Sequence, residues 1–217
     1  NYIGASRIIQ TYDDGYAILC TYLDVNEISS IIKLNPSGSF QWASNIGIAM
    51  INQTVHFNSF AELPDSSLFC IGSLESTNSS VTKIVRVDKH GILLLEDTIP
   101  PNWPNSVSWG IDLITDIQPF LLLLSSTSTS YYGNKKTNIS KINYFGDVIW
   151  NKTLNQDSIN YDFSIKRGCR GYSSNSIFLT GAYSNYIYPN LIGGAFTLKI
   201  REDTLIDWLR FYGNAIN

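Results

Sequence analysis

Charge is scarce in this chain. Lys, Arg, Asp and Glu make up 15% of its 217 residues, where soluble domains usually carry about 25%. The polar surface must therefore come from Ser, Thr, Asn and Tyr, a composition that favours strands and turns over exposed helices. The fifteen basic residues are scattered and the formal net charge is −3. No basic run interleaves with aromatics, which argues against nucleic-acid binding through phosphate neutralisation. Long apolar runs are missing as well. The segments 120–124 (FLLLL) and 91–95 (GILLL) fall far short of the roughly twenty residues of a membrane helix, so no membrane insertion is expected. The chain opens NYIGASRI, with no charged-then-apolar leader in view.

Cysteine and histidine are equally sparse. Cys20, Cys70 and Cys169 form no CxxC pair, so neither a zinc nor a redox motif is read. Cys20 and Cys70 lie in apolar, strand-like runs and are expected in the core. Cys169, in RGCRG, is expected to be a loop thiol able to pair outside the segment. His56 opens a strand-like run and His90 sits in the turn DKHG. Neither has a second metal-type residue at ligand spacing, so no metal site is expected. No GxSxG, P-loop or EF-hand sequence occurs, and no cofactor is implied.

What is present is a repeat. Residues 31–42 read IIKLNPSGSFQW, 84–95 IVRVDKHGILLL, 139–150 ISKINYFGDVIW and 197–208 TLKIREDTLIDW. The starts lie 53, 55 and 58 residues apart. The third place is always basic (Lys33, Arg86, Lys141, Lys199) and the fourth always apolar (Leu34, Val87, Ile142, Ile200). The eighth is Gly38, Gly91 and Gly146, then Thr204. The twelfth is Trp42, Leu95, Trp150 and Trp208. Upstream of each copy lies a second pair of β-rich runs around a turn, as in SRIIQTYDDGYAILCTYL. Each unit thus holds four short strands, and four antiparallel strands per roughly 55-residue repeat make a propeller blade. A lone four-stranded sheet cannot bury either face; stacking sheets about an axis buries both. The expectation is a single all-β propeller region over residues 1–217, with blades near 1–50, 51–101, 102–156 and 157–217. Four blades could form a complete ring, half of a larger ring closed by further chain or by a second copy, or a stack that never closes. The glycine suits a hairpin position of positive φ and the tryptophan the outermost strand.

On IIQTYDDGYAILCTY and IIKLNPSGSFQW, the chain resembles the β-propeller repeats of secreted and surface proteins (DGGY…KLD-NG-W type blades), and more distantly the tryptophan-docking blades of quinoproteins. The resemblance covers all four repeats. It implies the fold; it carries over no cofactor or activity, since the adjacent cysteines of quinoprotein sites are absent here.

Two readings of the third-place cations compete: a charged ring able to hold an anion, or strand residues whose stems cover apolar surface. Four N-glycosylation sequons begin at Asn52, Asn78, Asn138 and Asn151. Asn52 is expected between blades, Asn78 and Asn138 in the loop before a third strand, and Asn151 just past a fourth strand. The loops PPNWPNSVSWG and STSYYGNKK offer Trp103, Trp109, Tyr131 and Tyr132 as ligand or partner contacts. The functional expectation is a non-enzymatic extracellular or cell-surface structural module. It would be a glycosylated repeating subunit of a surface assembly or filament, with protein partners or self-association. The alternative is a carbohydrate-binding or hydrolytic propeller using axial or loop aromatics.

Overall fold

In a computed structural model, the described residues are 2–23, 28–48, 52–77, 79–100, 106–115, 120–128, 136–153, 162–171, 176–187, 190–201 and 206–213. They form sixteen strands in four antiparallel sheets, each following chain order from its first strand to its fourth. Blade 1 is β1 (Tyr2–Gln10), β2 (Tyr16–Leu23), β3 (Ile28–Leu34) and β4 (Phe40–Ile48). Blade 2 is β5 (Gln53–Glu62), β6 (Leu68–Ser76), β7 (Ser79–Val87) and β8 (Leu93–Ile99). Blade 3 is β9 (Val107–Thr115), β10 (Phe120–Ser128), β11 (Lys136–Asn143) and β12 (Val148–Thr153). Blade 4 is β13 (Asp162–Arg170), β14 (Ser176–Ile187), β15 (Asn190–Arg201) and β16 (Ile206–Tyr212). The chain is an all-β propeller of four blades.

Burial follows a strand's place in its blade. The second strands are the most buried, β10 along nearly its whole length and β6 over its first six residues, because neighbouring sheets cover both faces, whereas the outermost β8 is largely exposed. Three clusters of buried apolar side chains join neighbouring blades. Leu19 and Ile31 of blade 1 pack with Phe60, Leu68, Cys70, Val85 and Val87 of blade 2. Ile71 and Ile84 of blade 2 pack with Leu113, Leu121, Leu123 and Ile142 of blade 3. Leu122, Leu124 and Ile139 of blade 3 pack with Ile177, Leu179, Leu198 and Ile200 of blade 4. Cys20 and Cys70 are buried core residues, as expected.

The abundance of Ser and Thr has its reason at the blade junctions. Ser29 Oγ donates to Val55 O (3.0 Å) and Ser80 Oγ to Ser108 O (2.9 Å), while Ser108 Oγ accepts from Thr82 N (2.9 Å). Small hydroxyls satisfy one another across sheets without the desolvation cost of charge.

The quoted hairpin has the same geometry in three blades. Asn35, Asp88 and Asn143 each donate the backbone N–H to the carbonyl of Ser39, Ile92 or Asp147, and each accepts from the following glycine's N–H. That glycine sits at φ +80, +82 and +89° for Gly38, Gly91 and Gly146, the left-handed region that an L side chain resists.

Candidate functional site

Each inner strand carries one extra residue at the same place. The pairing register slips between Ala5 and Arg7, between Phe57 and Ser59, between Gly110 and Asp112, and between Ile165 and Arg167. Ser6, Asn58, Ile111 and Lys166 are therefore bulged, and a bulge re-aims the residues beside it. All four bulged residues line one cavity of about 290 Å³, together with Trp109, Ser126 and Arg167. A second cavity of about 420 Å³ lies toward the C-terminal ends of the same strands. Arg7, Gln10, Glu62, Thr115, Cys169 and Arg170 are among its lining residues.

Between the two cavities, all four inner strands meet in one polar cluster. Asp112 is 1% exposed. Its Oδ1 accepts from Arg7 Nη1 (2.6 Å) and Ser59 Oγ (2.6 Å), and its Oδ2 accepts from the Gly168 N–H (3.0 Å). Arg7 also donates to Ser59 Oγ, and Asn58 Nδ2 donates to Gly110 O (2.7 Å). Arg7, Ser59, Asp112 and Gly168 come from blades 1, 2, 3 and 4 in turn. A buried carboxylate is tolerated here because a guanidinium, a hydroxyl and a backbone N–H all point at it. None of these residues was singled out from the sequence. The available signal was a charge inside an apolar inner-strand run, Arg7 in SRII and Asp112 in GIDLI.

The third-place cations turn inward. Lys33 is 6% exposed and reaches both carboxylate oxygens of Asp13 in the first turn of its own blade (2.9 and 2.8 Å). Arg86 binds Asp65 in the equivalent turn of blade 2. Lys141 lies over the Phe120 ring at 4.7 Å, and Lys199 pairs with Asp207 at 3.0 Å. They are packing devices of the blade and form no open ring of charge.

Of the expected contact residues, Trp109 lines the cavity at the bulges; Trp103, Tyr131 and Tyr132 lie outside the described residues. Among the sequons, Asn52 is exposed in the turn entering β5 at φ +62°, and Asn78 lies outside the described residues. Asn138 corrects its expectation. It sits inside β11, 1% exposed, with Nδ2 donating to Thr127 Oγ1 (2.6 Å) and Oδ1 accepting from Thr153 (2.6 Å). Its amide nitrogen is not available to a glycan in the folded chain. Asn151 lies within β12 and not beyond it. Cys169 lies in strand β13 and not in a loop; it is exposed and unpaired with another cysteine. His90 lies in the β7–β8 turn and lines a cavity of about 410 Å³ between blades 1 and 2, with Asp13, Lys33, Trp42 and Glu62. Among the described residues, no three His, Cys, Asp or Glu side chains come together.

No protein-family model matches the sequence, and no curated protein matches it. Apocarotenoid oxygenases share the fold. An apocarotenoid oxygenase/RPE65 chimera superposes with a TM-score of 0.58 at 10% identity, over 98% of this chain and 51% of that one. A variant of the Synechocystis apocarotenoid oxygenase gives 0.55 at 11% identity, over 96% of this chain and 49% of that one. The chain thus spans about half the length of the solved structures it matches. The β-propeller domain of the Trilobed protease from Pyrococcus furiosus aligns over both full lengths at 8% identity, with a TM-score of 0.27 that carries no argument.

The expectation of a non-enzymatic structural module is corrected by these matches, since the solved structures that share the fold are enzymes. At about a tenth identity the likeness shows the fold and transfers no particular reaction.

Proposed function

We propose that the chain binds a small anionic molecule with a planar or ring-shaped face, at the axial cavity built by the four bulges. One observation carries the reading. Lys166 and Arg167 stand side by side, exposed, on the wall of that cavity, and among the described residues neither has a carboxylate within ion-pair distance. Asp112, the buried carboxylate of β9, is paired with Arg7. The cavity therefore presents positive charge, with Trp109 as an apolar face and Asn58 and Ser126 as polar groups for orientation. A guanidinium and an ammonium beside an indole suit a phosphate or carboxylate attached to a ring.

Isothermal titration calorimetry with phenyl phosphate and glucose 6-phosphate, and with glucose as the neutral control, tests this. Both anions are expected to bind, glucose not. Lys166→Ala combined with Arg167→Ala is expected to weaken binding roughly tenfold or more, since charge-assisted hydrogen bonds are worth about 1.5–3 kcal/mol. Trp109→Leu should weaken it as well, and added salt should do so progressively. No binding of either anion, or binding untouched by the double substitution, would overturn the reading.

A further inference from the structure

Equivalent places at two successive blade junctions hold different side chains. Between blades 2 and 3, Arg86 runs from Asp65 in the first turn of its own blade to Tyr144 O in the next. Leu95 packs against the buried cluster of that junction, and the neighbouring places are the apolar Leu94 and Phe145. Between blades 1 and 2 the matching places hold Lys33 for Arg86, Trp42 for Leu95, Gln41 for Leu94 and His90 for Phe145. Glu62, paired with Leu68, stands where β9 has Thr115, paired with Leu121. The shorter Lys33 does not bridge the blades. A cavity of about 410 Å³ opens there instead, and all five exchanged residues line it. Both walls of this cavity belong to the chain.

The hydrogen bonds already made in the wall decide what it can still bind. Lys33 Nζ is spent: it donates to Asp13 Oδ1 (2.9 Å), Asp13 Oδ2 (2.8 Å) and Leu34 O (3.1 Å), and an ammonium has three donors. Asp13 Oδ1 also accepts from Thr11 Oγ1 (2.5 Å) and the Gly15 N–H (3.1 Å). Glu62 keeps capacity. Its Oε2 accepts from the Tyr12 N–H across the junction (2.6 Å), and among the described residues its Oε1 has no donor. Burial holds the Glu62 carboxyl above its ordinary range, and the charge of Asp13 adds to this against the Tyr12 N–H and Lys33. A cation set beside it relieves both the burial and the repulsion. The Trp42 indole is half-buried on the same wall, where its Nε1–H donates to the carbonyl of exposed Lys89 (2.9 Å). Leu68 adds a second apolar contact.

We propose that this cavity binds a primary ammonium on an apolar or aromatic stem, with the nitrogen on Glu62 and the stem against Trp42. An ammonium brings three donors to a wall whose own ammonium is spent and whose carboxylate still accepts. A carboxylate and an indole both favour positive charge, the first through a charge-assisted hydrogen bond and the second through its ring face. Gln41 and His90 supply polar groups at the rim. The site is separate from the axial cavity and takes a ligand of the opposite charge.

Isothermal titration calorimetry with phenethylamine, and with 2-phenylethanol as its neutral counterpart, tests the proposal. The amine is expected to bind, and the alcohol roughly tenfold more weakly or not at all. Glu62→Gln keeps an acceptor for the Tyr12 N–H and removes the charge. It should weaken the amine roughly tenfold or more, as loss of a charge-assisted hydrogen bond does. Lys89→Ala should not weaken it. Lys33→Arg combined with Trp42→Leu gives this junction the pair found at the next one; the variant should unfold cooperatively on heating and bind no amine. An alcohol bound as tightly as the amine, or an affinity untouched by Glu62→Gln, would overturn the proposal. So would a loss on Lys89→Ala, retained binding in the double variant, or no binding of the amine to the unaltered chain.

Discussion

A single exchange shows how residues adapt to one another within the repeat. Lys33 and Arg86 occupy the same place, and each binds the aspartate of its blade's first turn. Arg86 is longer and also donates to Tyr144 O of the next blade (2.9 Å). Lys33 makes no such bond to the equivalent carbonyl, Lys89 O; the indole of Trp42 makes it instead, where blade 2 has Leu95. Hydrogen bonds from Lys33 and then Thr11 lower the Asp13 carboxyl from 3.8 to about 2. A depressed carboxyl contributes stability that is present above its unfolded value of 3.8 and lost as pH falls through about 2. Asp65 follows in direction: burial pushes it up, but Ser67 and the charge of Arg86 outweigh that. Denaturant unfolding between pH 5 and pH 2 should therefore show stability falling below about pH 4. Lys33→Met should flatten part of that fall. The Asp13 side chain is 53% exposed, so its share is well under 1 kcal/mol. The aspartate turn and the basic third place were both visible in the sequence; their pairing was not, because it joins the first turn of a blade to its third strand.

Among elements, the hairpin glycine has two duties. Its positive φ closes the turn, and its missing Cβ admits the twelfth residue of the preceding blade. Gly91 performs both, with the Trp42 indole 2.8 Å from where its Cβ would stand; Gly38 performs the first, and among the described residues nothing comes within 4 Å of such a Cβ. Gly91→Ala should therefore cost about 1–2 kcal/mol for the backbone, and a further 1–3 kcal/mol for displacing Trp42. Gly38→Ala at nearly the same φ should cost the backbone share alone. Thermal unfolding of both variants gives the difference; equal losses would refute the second duty. The repeat of Gly and Trp at fixed places was legible from the sequence. That each serves the other across a blade boundary was not, because about fifty residues separate the partners in the chain.

For the whole molecule, the axial cluster is the tie that involves every blade. Asp112→Ala leaves half-buried Arg7 without its counter-charge and the Gly168 N–H without its acceptor, and should cost about 1–3 kcal/mol. Replacing both partners, Arg7→Met with Asp112→Leu, should recover much of that loss. Urea unfolding of the two variants checks the pair. If the single substitution costs less than about 1 kcal/mol, Asp112 does not hold the blades together.

Sequence alone determined the strands, the four-fold repeat and the propeller, because alternation, turn chemistry and a period near 55 residues are local or repeating signals. It also placed Cys20 and Cys70 in the core. It did not determine that Asn138 is buried in a strand, that Arg7 and Asp112 meet, or that the bulged residues of four blades line one cavity. Those facts depend on which side chains a curved stack of sheets brings to its axis.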